Sequence, residues 1–212
     1  MKVAVIIPYK TDRSFLKKAI DSVWAQSFDG PMLVIEAKGN HGVSKNLNDG
    51  IQKAIEQGAD LIRYLCDDDE LTPNSIQDTV DYFEKHPDVD FIHGNTIHFT
   101  IDNNVMHEII PRIKEISFSD LMARNHINGG TQVYRREVFE KFGGFDENLW
   151  TGEEFEFHLR ILKAGAKIGY INSFLYRYRR HATQKSVGKL SPFSKVDRIA
   201  EICRIRNKHR RG

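Results

Sequence analysis

Short apolar runs at residues 3–7, 32–35, 61–65 and 89–92 alternate with segments whose apolar residues recur at helical spacing. The first helical segment carries Phe15, Leu16, Ala19, Ile20, Val23 and Trp24. The second carries Val43, Leu47, Ile51, Ala54 and Ile55 and stops at Gly58; the third carries Ile76, Val80 and Phe83 and closes at Pro87. Strands that are apolar throughout are covered on both faces, and a repeated strand–helix–strand order favours parallel pairing with right-handed crossovers. The pattern predicts an α/β fold: a mainly parallel central sheet flanked by helices.

The second half changes character. Residues 96–101 and 105–110 flank Asp102-Asn103-Asn104, a hairpin signal that predicts a small antiparallel element. Residues 131–134 read as a short strand, followed by a helix through Phe142 that Gly143-Gly144 breaks. Residues 153–164 have Phe155, Leu159 and Leu162 on one helical face, and 167–171 and 174–178 read as two strands. Pro192 opens a last helix whose Val196, Ile199, Ile202 and Ile205 stripe is expected to pack on the domain. Without repeats or a linker, the chain reads as one domain, 1–212.

With 212 residues, 40% apolar and 28% charged, this is an ordinary globular composition. A formal charge of +2 gives no argument for nucleic acid. Cys66 and Cys203 have no zinc-type spacing and suit a reducing compartment. The apolar start ends at Pro8, too short for a signal peptide or membrane span, so the expected location is cytoplasmic. Membrane contact would be peripheral, through the basic end Arg204, Arg206, Lys208, His209, Arg210 and Arg211 meeting anionic lipid.

The run 61–65 leads through Cys66 into Asp67-Asp68-Asp69. Open α/β sheets hold ligands at the carboxyl ends of their strands, and adjacent carboxylates repel unless a cation joins them. Magnesium-type ions are held by one or two carboxylates plus substrate phosphates, so the run suggests a metal site for a phosphorylated substrate. The other reading is an acidic loop before a helix, with Thr72 as cap and Pro73 at the first helical position. Gly-x-Gly-x-x-Gly, Walker A and Gly-x-Ser-x-Gly sequences are all missing.

Taken in order, several segments resemble family-two-type glycosyltransferases with the GT-A fold. Val5-Ile6-Ile7-Pro8-Tyr9 with the helix 16–27 resembles their opening, and Gly42-Val43-Ser44, Asn48 and Gly50-Ile51 their second segment. Residues 64–71 with Pro73 are similar to their metal-binding DXD region. Gly143-Gly144-Phe145-Asp146 followed by Gly152-Glu153-Glu154 resembles the catalytic segment, and Tyr176-Arg177-Tyr178-Arg179-Arg180-His181 the closing Tyr-Arg-x-His element. The matches run from about residue 3 to about residue 186.

The resemblance implies metal-dependent transfer from a UDP-sugar, UDP-glucose or a similar hexose donor, to a hydroxyl of a glycan or other acceptor. Mn²⁺ or Mg²⁺ would be held by Asp68, Asp69 and His181. Asp67 would contact ribose, donor sugar or metal-bound water. Cys66 stands where the first DXD aspartate often falls, so which of the three aspartates ligates stays open. Glu154 would be the general base, with Glu153 the acid before it; both lie at a helix start, whose dipole is expected to keep a carboxylate ionised. First-turn acids are also common as purely structural residues.

Pro8 and Tyr9 would line the uracil pocket, Glu36 would accept a hydrogen bond from uracil or ribose, and Lys45 and Asn48 would touch base and phosphates. Lys10 and Asp12 are further candidates there. Trp150, His93, Asn95 and Asn128-Gly129-Gly130 are candidates for the acceptor side, with His98, His107 and His126 read as surface residues. The arginine run is either a phosphate contact or a solvated strand end. Residues 1–100 would be the nucleotide-sugar half, 101–190 the acceptor and catalytic half, and 191–212 a basic helix. The abrupt stop leaves open that this is one catalytic module of a longer viral or bacterial glycan-building enzyme. Competing readings are a non-catalytic nucleotide-sugar-binding module and, without the Gly-rich opening it requires, a sugar nucleotidyltransferase.

Overall fold

The computed structural model describes residues 1–11, 15–182, 184 and 194–211. Asp12 and Pro192, singled out above, lie outside them. The strands are β1 (Val3–Tyr9), β2 (Met32–Lys38), β3 (Leu61–Tyr64), β4 (Glu70–Leu71), β5 (Phe91–Thr100), β6 (Val105–Ile109), β7 (Val133–Arg135) and β8 (Ile168–Arg180). The helices are α1 (Leu16–Trp24), α2 (Val43–Glu56), α3 (Ser75–Lys85), α4 (Phe118–Ala123), α5 (Arg136–Phe142), α6 (Glu153–Lys163) and α7 (Lys195–Arg211).

One curled sheet runs in the order β2-β1-β3-β7-β5-β8-β4, with β6 paired to β5. The long ladders β1–β2 and β5–β8 are parallel, as is β1–β3. Strand β7 enters antiparallel between β3 and β5. This is the mixed α/β single domain of a GT-A-like fold. The apolar runs are explained by double coverage. Ala4, Ile6, Ile62 and Tyr64 pack with Leu47, Ile51, Phe139 and Phe157 on one face; Val3, Val5, Ile7 and Leu61 pack with Leu16, Val23, Ile76 and Phe83 on the other. The ends of β1, β2 and β3 therefore open at one rim of a rigid platform.

Three local expectations need correction. Thr72 does not cap a helix: its hydroxyl donates to the Phe174 carbonyl, and α3 begins only at Ser75, with the Gln26 side chain accepting from the Ile76 N–H at 3.0 Å. Glu70 and Leu71 instead pair with β8. The two late strands are one, β8, which stays continuous because it follows β5 through register irregularities near Asn95.

The stripe on α7 packs only in part. Ile205 is buried and Ile202 packs beside it, but Val196 and Ile199 are exposed. The docked end is held by buried Glu156, which faces Lys208 Nζ at 3.5 Å and His209 Nε2 at 3.4 Å. No described helix is long and apolar enough to cross a membrane.

Candidate active site

Beyond Leu65 the chain turns sharply, the Asp69 N–H bonding the Cys66 carbonyl at 3.1 Å, before Glu70 joins β8. This turn presents the three aspartates to the end of β8. Asp68 Oδ2 lies 3.0 Å from His181 Nε2, joining positions 113 residues apart. Asp69 is buried; its Oδ2 accepts from the Tyr176 hydroxyl at 2.8 Å and its Oδ1 from the Arg179 N–H at 2.7 Å. Burial, with the Asp68 charge second, still pushes the Asp69 carboxyl up to about 8.

Ligand atoms of Cys66, Asp68 and Asp69 lie within 4.8 Å of one another. Crowding of these groups disfavours ionising them all, and a hard divalent cation on Asp68 and its neighbours would fit the oxygen donors and relieve that repulsion. Cys66 is a poor thiolate partner, because burial and the three aspartates push its thiol well above the usual range.

Two arginines of β8, Arg177 and Arg179, serve the sheet. Alternation puts Arg177 and Arg179 on one face, where both pair with Glu70 and both guanidinium groups lie over the Phe99 ring, at 4.2 and 4.4 Å. That face is committed to structure, neither to phosphate nor to bulk solvent.

Glu154 stands in the first turn of α6, after Gly152 in a left-handed conformation (φ 77°). A side chain at Gly152 would also crowd Ile202 and Ile205 of α7, each 3.0 Å from its Cβ position. The Glu154 carboxylate has no hydrogen-bond or ion-pair partner among the described residues, and burial lifts it to about 7. The expectation that the helix dipole keeps it ionised is corrected: desolvation outweighs the dipole. Glu153 is half-buried beside it.

Two glycines connect this carboxylate to the acidic corner. A Cβ at Gly129 would sit 3.8 Å from Glu154 Oε2; one at Gly130 would fall 2.3 Å from the Tyr176 ring. Glu154, Gly129, Gly130, Tyr176 and Asp69 therefore form one continuous run. Buried Arg63, overlooked in the sequence, underpins it. Its guanidinium donates to Ser75 Oγ at 2.6 Å and to the Gly130 and Leu175 carbonyls at 3.3 and 3.4 Å. A charged residue inside the apolar run 61–65 was the available signal.

At the ends of β1 and β2, the Tyr9 hydroxyl donates to Glu36 Oε2 at 3.1 Å, and Lys38 Nζ lies 5.5 Å above the Tyr9 ring. Pro8 pairs with Ala37 beside them, so three expected donor residues share one rim. Lys45 is bound to Asp49 one turn along α2, at 2.6 Å. Asn48 has a different task. Its amide donates to the Phe145 carbonyl and accepts from the Phe145 N–H, both at 2.9 Å, and also donates to Glu147. It fastens α2 to the Gly143-Gly144-Phe145 turn.

On the acceptor side, His93 is buried against the Lys114 carbonyl and Asn95 against Tyr170 and Asn172. Both belong to the interior. His98 and His107, read as surface residues, face each other across β5 and β6 with ring centroids 5.1 Å apart.

A family profile described as glycosyl transferase family 2 matches residues 24–143, more than half of the chain. The chain belongs to glycosyl transferase family 2. It is 27% identical over 165 residues to an uncharacterized glycosyltransferase of Haemophilus influenzae, covering 76% of this chain and 55% of that protein. It is 21% identical over 202 residues to the amylovoran biosynthesis glycosyltransferase AmsE of Erwinia amylovora, covering 95% and 73%. A relative in Rickettsia felis, 24% identical, covers 96% of this chain but is itself covered over only 37%. Among solved structures, S. aureus TarS 1–349 in complex with UDP-GlcNAc superposes with a TM-score of 0.73 at 14% identity, over 99% of this chain and 66% of that one. That likeness concerns the fold.

Proposed function

We propose that this chain transfers a hexose from a UDP-sugar, UDP-glucose or a close relative, to a hydroxyl of a glycan acceptor, with Glu154 as general base. The observation that carries the reading is the Asp68–His181 contact. It joins the acidic turn after β3 to the end of β8, while Tyr9 and Glu36 meet at the end of β1 and β2, β1 being the strand paired with β3. The UDP-GlcNAc-bound TarS structure, which shares the fold, favours a nucleotide-sugar donor.

In this reading Tyr9, Pro8 and Glu36 receive the uracil and ribose, and Asp67 borders the ribose or the donor sugar. Asp68 and His181 hold Mn²⁺ or Mg²⁺, with Asp69 behind them; the bound ion would neutralise charge growing on the departing diphosphate. Asp69 keeps the turn in place through Tyr176 and the Arg179 amide. Glu154 takes the proton of the acceptor hydroxyl as that oxygen attacks the anomeric carbon. A carboxylate poised near 7 is basic enough to help and is about half ionised at pH 7. Glu153 borders the acceptor. Residues 1–100 are the donor half and 101–190 the acceptor half of this domain.

The test is UDP release from a panel of UDP-sugars with Mn²⁺, Mg²⁺ or chelator, in wild type and Asp68→Ala. Metal-dependent release lost in the variant supports the reading. Metal-linked UDP binding without turnover in any donor and acceptor pair would favour a non-catalytic binding module instead. No UDP binding at all refutes the transferase.

The chain spans 55% and 37% of the first two relatives, which favours a module that works beside further domains. Exposed Val196 and Ile199 beside Lys195 and Arg198 favour a peripheral contact of α7 with anionic lipid. Flotation with phosphatidylserine vesicles tests it; absence of the protein from the floated fraction removes that contact.

A further inference from the structure

Beside Gly129 lies an open cleft of about 220 Å³ between β5, β8 and the 128–129 loop. Thr96, His98, Asn128, Gly129, Tyr178 and Arg180 line it. Strand register explains the grouping. Thr96, His98 and Thr100 stand opposite Tyr176, Tyr178 and Arg180 in the parallel β5–β8 ladder, so their side chains share a face. This is the face opposite the Glu70–Arg177–Arg179 cluster.

Three properties of the cleft point to the chemistry of its occupant. Arg180 lies over the Tyr178 ring at 5.7 Å and has no carboxylate partner among the described residues, unlike Arg177 and Arg179. The Thr96 hydroxyl is buried, with the residue 3% exposed, and has no hydrogen-bond partner there. Buried hydroxyls are nearly always partnered, so an unpartnered one in a residue that lines a cleft is a place where a ligand group can supply the missing bond. No acid lines the cleft, whereas an arginine and an imidazole do. A planar guanidinium without a carboxylate partner is suited to carboxylate or phosphate oxygens.

We infer that this cleft is an acceptor subsite for a glycan bearing an oxyanion, a uronate carboxylate or a phosphate ester, with Arg180 as its specificity-determining residue. The inference rests on the reading of Glu154 as the base, because Gly129, which lines the cleft, also borders that carboxylate: a Cβ there would sit 3.8 Å from Glu154 Oε2. An acidic residue of the acceptor seated on Arg180 and Thr96 would leave a neighbouring sugar hydroxyl at the Glu154 side of the loop.

The experiment uses three matched disaccharides, neutral, uronate-containing and phosphate-containing. Each is titrated by ligand-observed NMR into the protein loaded with UDP and Mn²⁺, so that a phosphate probe cannot report the donor site. Acidic probes should bind about tenfold or more tighter than the neutral one, the gain of a charge-assisted pair. Arg180→Gln should erase that preference, and Thr96→Val should weaken the acidic probes about threefold to tenfold. Whichever acid binds tighter names the group.

Equal binding of the neutral probe, an acid preference that survives Arg180→Gln, or no binding of either acidic probe overturns the inference. Thermal unfolding of both variants guards against loss of fold. UDP titration in the wild type is read separately: its failure removes the donor reading, while the acid-probe comparison, repeated without UDP, still decides the cleft.

Discussion

Glu154→Gln should make the protein more stable at neutral and alkaline pH while removing its turnover. The carboxyl rises from an ordinary value of 4.5 to about 7, with burial as the cause. Between those values the folded state keeps a proton that the unfolded chain has released, so stability falls as pH rises through this window. The contribution is fully present below about 4.5 and gone above about 7. A shift of this size corresponds to at most about 3.4 kcal/mol. Part of the residue meets solvent, so about 1–3 kcal/mol is the fair range.

Glutamine has nearly the same shape and cannot ionise. Any constant cost of burying its amide is the same at every pH, so the signal is the change in the stability gap between variant and wild type. That gap should widen by about 1–3 kcal/mol between pH 4.5 and pH 8, or roughly 2–10 °C in Tm for a chain of this size. Urea unfolding of both proteins across that range measures it. A gap independent of pH would show that Glu154 is solvated and ordinary, and the argument for a base poised near neutrality would fall with it.

Three further outcomes follow from the same geometry. With a productive donor and acceptor, kcat/KM should climb about tenfold per pH unit up to about 7 and then level. Glu154→Gln should lower it about 10²- to 10⁴-fold; a profile already flat at pH 5 would contradict that base. Asn48→Ala should cost about 1–3 kcal/mol in chemical denaturation, because both Phe145 backbone groups lose their partner. Its UDP affinity at a temperature where it is folded should move less than about twofold; a tenfold loss would return Asn48 to the donor pocket. Gly130→Ala forces a side chain into the Tyr176 ring at φ 79°, so a loss of about 2–4 kcal/mol is expected by thermal unfolding, with metal-linked UDP binding weakened as well. Unchanged stability would mean that the ring moves freely and does not hold Asp69.

Much of the platform was legible because period carries through to packing. The apolar runs of β1 and β3 could be placed between two helix layers from their composition alone. The 96–110 hairpin followed from Asp102-Asn103-Asn104, and Asn103 indeed adopts φ 67°. The approach of Asp68 to His181 could be expected only from the ordered family resemblance, since nothing local links residues 113 apart.

What the sequence hid depends on long-range competition. Thr72 and Pro73 form a good local helix start, yet β8 claims this segment. Glu154 looks dipole-stabilised in one dimension, and only the surrounding fold removes its water. Asn48, Arg177 and Arg179 carry the right chemistry for ligands. Their partners, the Phe145 backbone and Glu70, come from segments roughly a hundred residues away.

The last two residues of β8 and the one just beyond it carry three separate obligations. Arg179 is locked against Glu70 and lends its amide to Asp69, Arg180 looks into the cleft beside Gly129, and His181 faces Asp68. The pleat alone keeps these duties from interfering. The flanking positions are pinned, one by the fold and the other by the acidic turn. The middle one can drift from arginine to a neutral or acidic residue at little structural cost. New acceptor chemistry would then be reached through a single codon, with the donor machinery inherited intact.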